Sequence, residues 1–121
     1  MPDFQEVFMK LAEAITIEEL RLMAQSMYDE LVKAVVDVEE GLLVVDAPMH
    51  VDEEQFLLER GSLQENLWGI NLYPDDYGTD DFVEFDSMIN IRPAQNNRSR
   101  GVDDEALQVR IRDIVDGVVN G

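Results

Sequence analysis

Residues 33 to 47 constrain the fold most. From Lys33 to Glu39 the chain alternates: Ala34, Val36 and Val38 face one way, and Lys33, Val35, Asp37 and Glu39 the other. A period of two belongs to a strand, because successive side chains leave opposite faces of a pleated backbone. Glu40-Gly41 supplies a tight turn, and Leu42 to Ala47 returns as a second strand, ended by Asp46 and Pro48. The stretch predicts a β-hairpin.

Helical signals flank it. Thr16-Ile17-Glu18-Glu19 carries a capping box, with Thr16 as cap, Glu19 three residues on, and Ile15 and Leu20 placed as a hydrophobic staple. Leu20, Met23, Ala24, Met27 and Leu31 then share one helical face. Residues 4–14 fit either a helix or a short strand. After the hairpin, Asp52 precedes Phe56-Leu57-Leu58, two helical turns closed by Arg60-Gly61.

A third strand spans Leu67 to Tyr73, with Trp68, Ile70 and Leu72 on one face and Gly69, Asn71 and Tyr73 on the other. Pro74 to Asp81 is a loop by composition. The alternation from Phe82 to Arg92 predicts a fourth strand, placing Val83, Phe85, Ser87, Ile89 and Ile91 opposite Glu84, Asp86, Met88, Asn90 and Arg92. Asp103 then caps a last helix, with Asp104 and Glu105 in its first turn and a stripe of Leu107, Ile111, Ile114, Val115 and Val118. The expectation is an α+β fold in one domain, residues 1–121. Its sheet is mostly antiparallel, built of two hairpins, with four strands or five if the N-terminal stretch joins. Two longer helices and one short one cover a single face. The opposite face is wetter, and such an uncovered face suits a homodimer.

Composition removes several functional classes. Cysteine is absent, which excludes disulfides, thiolate metal sites and cysteine nucleophiles. The N-terminus lacks a basic leader and no apolar run approaches 18 residues, so the expected setting is cytoplasmic, with no membrane partner. With 27 acids against nine Lys and Arg, the formal charge is -18. That argues against duplex nucleic acid, which needs dense basic side chains.

The runs Lys33 to Glu39, Leu67 to Pro74, and Glu84-Phe85-Asp86-Ser87 through Arg100-Gly101 resemble an uncharacterised prokaryotic family of small proteins, catalogued as a domain of unknown function. The likeness extends from about Thr16 to Val118. It implies a whole natural domain and supplies no activity, cofactor or catalytic residue.

The charge pattern singles out Arg92 to Gly101, which holds three of the nine basic residues and no acid. Arg92, Asn96, Asn97, Arg98 and Arg100, with Asn71 and Asn90 on the strands, are candidate ligand-binding residues. Guanidiniums and amides recognise phosphate or carboxylate bidentately, and a helix N-terminus follows. Asp103 and Asp104 are equally placed to pair with these arginines internally. The alternation also puts Asp37, Glu39, Glu84 and Asp86 on candidate common ground, where they could hold a divalent cation such as Mg2+ or Mn2+. His50, Asp52 and Glu54 form a second, weaker ligand set that matches no established metal motif. Ser87 and Ser99 lack a nucleophile elbow. Three functions compete: a small binding or regulatory domain using the Arg/Asn loop on an anionic small molecule or protein partner; a metal-assisted phosphoester hydrolase using the four acids; and an acidic interaction protein or nucleic-acid mimic.

Overall fold

The computed structural model describes residues 10–121, which form two sheets and three helices. The larger sheet is antiparallel throughout, in the order β1 (Lys10–Ala12), β4 (Leu42–Val45), β3 (Val32–Asp37), β5 (Leu67–Leu72) and β6 (Val83–Glu84). Its centre is the predicted hairpin, β3 (Val32–Asp37) and β4 (Leu42–Val45), in register from Ala34 opposite Val45 to Asp37 opposite Leu42. Gly41 turns the chain at φ +70°, a left-handed conformation that costs glycine little. Strand β5 (Leu67–Leu72) lies on the other side of β3, with Val35 opposite Gly69 and Asp37 opposite Leu67.

Part of the ambiguous N-terminal stretch resolves as strand: Lys10–Ala12 is β1, antiparallel to β4, which makes the sheet five-stranded. Residues 4–9 lie outside the described residues. Helix α1 (Ile17–Met27) begins at the expected capping box, with Thr16 Oγ1 accepting from the Glu19 amide and Glu19 answering the Thr16 amide. Helix α3 (Glu105–Val118) buries Ile111, Ile114, Val115 and Val118, and leads into β7 (Val119–Asn120), which pairs in parallel with β2 (Ile15–Thr16). Helices α1 and α3 bury their apolar stripes with Ala34, Val36, Trp68, Ile70 and Leu72 in the main core. Each fully buried Leu or Ile there contributes about 1.5–3 kcal/mol relative to exposure.

Three expectations need correction. The short helix, α2 (His50–Glu59), starts at His50, two residues before Asp52, and lies on the opposite face of the sheet from α1 and α3. There Leu57 packs with Val35, Val44, Ala47 and Leu67. Both faces are therefore covered, and the open face that suggested a homodimer is absent among the described residues. Second, the eleven-residue fourth strand shrinks to β6 (Val83–Glu84), paired with Asn71 and Leu72. Ser87 caps a 3-10 turn over Met88–Asn90 by accepting from the Ile89 amide, and the backbone leaves the sheet. Ile91, expected in the core, is exposed. Third, α3 is capped by Asp104, whose carboxylate accepts from Ala106 and Leu107; Asp103 is used elsewhere.

Candidate functional site

The segment after β6 is held to β5 by side chains instead of by a ladder. The Asn90 amide, fully buried, accepts from the Gly69 amide at 2.8 Å and donates to the Gly69 carbonyl at 2.9 Å. It also donates to the Arg100 carbonyl at 3.0 Å, joining both ends of the basic loop to the sheet. The loop closes on itself where Arg92 and Asn97 exchange backbone hydrogen bonds. Pro93–Gln95 makes one 3-10 turn, and Asn96 ends it at φ +61°, a conformation asparagine tolerates better than most residues.

Asn97 is the interior strut of this loop. Its buried amide donates to the carbonyls of Asn90 and Gly101, each at 2.8 Å, and accepts from the Asp103 amide at 2.8 Å. Asp103 binds back, accepting from the Ser99 hydroxyl at 2.5 Å and the Arg98 amide at 3.1 Å. Those bonds hold the Asp103 carboxyl below its usual value.

The arginines divide by role. The Arg92 guanidinium lies 4.0 Å above the Trp68 ring and donates to the carbonyls of Gln64 and Leu67. Burial lowers its pKa, and the Glu54 carboxylate acts in the opposite sense. Arg100 pairs with Asp86, Nε to Oδ1 at 2.6 Å, and its Nη1 approaches the Met88 sulfur. The Arg98 guanidinium makes no hydrogen bond or ion pair with a described residue. Arg98 and Asn96 are exposed at the outer rim. Of the seven predicted binding residues, Asn90 and Asn97 therefore build the loop, Arg92 and Arg100 are engaged within the protein, and Asn96 and Arg98 face solvent. Asn71 stands apart on β5, donating to Glu84 Oε1 at 2.8 Å.

The four predicted metal-binding acids are separated. Asp37 is buried in the hairpin turn, where it accepts from the Glu39 and Glu40 amides and from the Ser62 hydroxyl. Glu39 is exposed beside that turn. Glu84 sits opposite Asn71, whereas Asp37 sits opposite Leu67. Four residues of β5 separate those two positions, about 13 Å at roughly 3.3 Å per residue. Glu84 accepts from Asn71 and Tyr73, and burial followed by that Glu84 contact raises the Tyr73 pKa. Asp86 is committed to Arg100. Among the described residues no three His, Asp or Glu side chains converge as ligands for one metal ion.

The second ligand set splits as well: Asp52 points outward, while His50 and Glu54 are buried beneath α2. With them lies Glu53, which belongs to no metal-ligand pattern in the sequence. The spacing 50, 53, 54, 57 is the i, i+3, i+4, i+7 stripe of one helical face. That stripe was legible, but three of its four members are ionisable. His50 donates from Nε2 to the Ile70 carbonyl at 2.7 Å, and burial lowers its pKa from 6.5 to about 4. Gly69 makes room for this arrangement: a Cβ there would stand 2.6 Å from both Cβ and Oγ of Ser87 and 3.2 Å from His50 Cδ2.

Among the described residues, open clefts surround the acidic loop after β5. One, of about 340 Å³, is lined by Tyr73, Asp76, Asp81, Val83 and Glu84. No helix among the described residues is long and apolar enough to cross a membrane.

A family model described as "Protein of unknown function (DUF5674)" matches residues 9–118, and the chain belongs to that family. No curated protein and no solved structure matches it.

Proposed function

We propose that the chain is a small binding domain that engages an anionic group, phosphate or carboxylate, on a ligand or partner through the rim of the Arg92–Gly101 loop. Arg98 and Asn96 make the contact. Arg100 can join by exchanging its bond to Asp86, and Arg92, Asn90 and Asn97 hold the loop in shape.

One observation carries this reading: the Arg98 guanidinium is without a partner among the described residues, on a loop whose interior polar groups are tied down by Asn90, Asn97 and Asp103. A loop that is already ordered loses little conformational entropy on binding. An exposed guanidinium on a chain of charge -18 also gives the rim a sign opposite to the net charge. The hydrolase reading has weaker support, because its four acids fall in separate places and three of them, Asp37, Glu84 and Asp86, are spent on internal bonds.

The test is calorimetric titration of the full chain with inorganic phosphate, a nucleoside monophosphate and an acidic peptide, at two salt concentrations. The expected result is binding to at least one probe, weakened by salt and lost in Arg98→Ala. Binding that survives Arg98→Ala unchanged, or no binding to any of the three at millimolar concentration, overturns the proposal.

A further inference from the structure

Helix α2 is attached differently from its two neighbours. Among the described residues the main core holds 21 buried apolar residues, while the cluster beneath α2 holds five, of which the helix contributes Leu57, with Phe56 and Leu58 half-buried against it. The rest of its buried flank is His50, Glu53 and Glu54. Glu53 is fully buried; Oε2 accepts from the Ala47 amide at 3.2 Å, and Oε1 has no partner. The charged groups facing it are Lys33 from β3, Asp46 from the end of β4 and Asp52 from its own helix. Lys33 places its ammonium 5.1 Å from the centre of the Tyr28 ring and forms no ion pair with Glu53. His50 faces Lys33, Asp86 and the Asn71 amide, and spends its Nε2 hydrogen on the Ile70 carbonyl. A carboxylate this deep, without an ion-pair partner, is held far more cheaply with its proton on.

We propose that α2 is a proton-gated cover: seating it on the sheet leaves a proton on Glu53 and none added to neutral His50, so the cover is released as pH rises past neutrality. Burial raises Glu53 well above its ordinary 4.5 and lowers His50 from 6.5 to about 4, and lifting the helix into water restores both. Between about 4.5 and 6.5 the seated helix carries its exchangeable proton on Glu53, and the released helix carries it on His50. The counts are equal, so pH leaves the equilibrium alone. Above about 6.5 the released helix has lost both protons, and the two states differ for as long as burial keeps the proton on the seated Glu53. Each further pH unit then favours release tenfold, until Glu53 itself ionises. Release uncovers Val35, Val44 and Leu67 while the main core stays closed.

Hydrogen exchange of residues 50–59 in the full chain tests this, after correction for the intrinsic pH dependence of exchange. Protection is expected to be level from about pH 4.5 to 6.5 and then to fall up to tenfold per unit, while α3 stays protected. Glu53→Gln removes the fall above pH 6.5 and leaves a rise below it, from His50 alone. His50→Gln extends the fall down to about pH 4.5. Protection that stays level to pH 9 in the wild type, or a Glu53→Gln profile that matches it, overturns the proposal. Should Glu53→Gln fail to fold, carboxyl-carbon NMR of the wild-type chain decides. Glu53 should titrate above about 6.5, the ordinary value of His50, and titration anywhere below that overturns the idea.

Discussion

The side-chain amide of Asn90 pairs with both backbone groups of Gly69, at 2.8 and 2.9 Å, as the peptide of a neighbouring strand would. The sheet thus continues past β6 through one side chain after the backbone has turned away.

That substitution sets a first expectation. Asn90→Ala leaves the Gly69 amide and carbonyl buried without partners, and each such group costs about 1–3 kcal/mol. Urea denaturation should show a loss of about 2–5 kcal/mol. A loss under about 0.5 kcal/mol would mean that water replaces the amide.

Gly69 gives a second. Gly69→Ala drives its methyl to 2.6 Å from Ser87 Cβ and Oγ, and overpacking of this kind costs about 1–3 kcal/mol. Ser87→Gly in the same chain removes both clashing atoms and should recover part of the loss, whereas Ser87→Ala keeps Cβ and should recover less. Equal recovery by the two would place the clash elsewhere.

Arg92 is read most directly by fluorescence, because Trp68 is the single tryptophan. Arg92→Met keeps the stem and removes the guanidinium above the ring, leaving the Leu67 carbonyl without that donor while the Gln64 carbonyl keeps the Leu67 amide. Trp68 emission should shift and stability fall by about 1–3 kcal/mol. Arg92→Lys keeps the charge but not the fork, so it should fall between. Wild-type values for the lysine variant would reduce the role of Arg92 to its charge.

Asp103 makes the loop sensitive to acid. Its carboxyl is held below the ordinary value by the Ser99 hydroxyl and the Arg98 amide. A depressed folded value stabilises the loop above the unfolded pKa, and that contribution is lost as pH falls through the folded one. Exchange at the Arg98 amide should therefore gain protection as pH rises out of the acid range. Asp103→Asn should remove the pH dependence; an unchanged profile in that variant would assign the effect to another group.

Much of the fold was legible because its signals were local and repeated. The alternation of Ala34, Val36 and Val38 about Glu40-Gly41 gave the hairpin, and the capping box at Thr16 gave the start of α1. The fourth strand misled because its alternation continues past the point where the backbone departs. Pairing passes to the Asn90 side chain, and periodicity does not record whether a side chain or a peptide makes a bond. Helix α2 is longer than its apolar run for the opposite reason: its buried stripe is mostly histidine and glutamate. At the loop, charge pattern singles out the segment but not the part each arginine plays. It could not distinguish Arg98 from Arg92 and Arg100, since their partners are Asp86 and carbonyls distant in sequence.

The way Asn90 and Arg92 bind β5 also bears on how copies of the chain behave toward one another. An open sheet margin is a template on which a strand from another molecule can add, the usual start of swapping and fibre growth. On this margin β6 takes Asn71 and Leu72, Asn90 takes both groups of Gly69, and Arg92 takes the Leu67 carbonyl. Two side chains thereby occupy the edge groups on which other proteins lay down a further strand, and on which a second molecule could otherwise add.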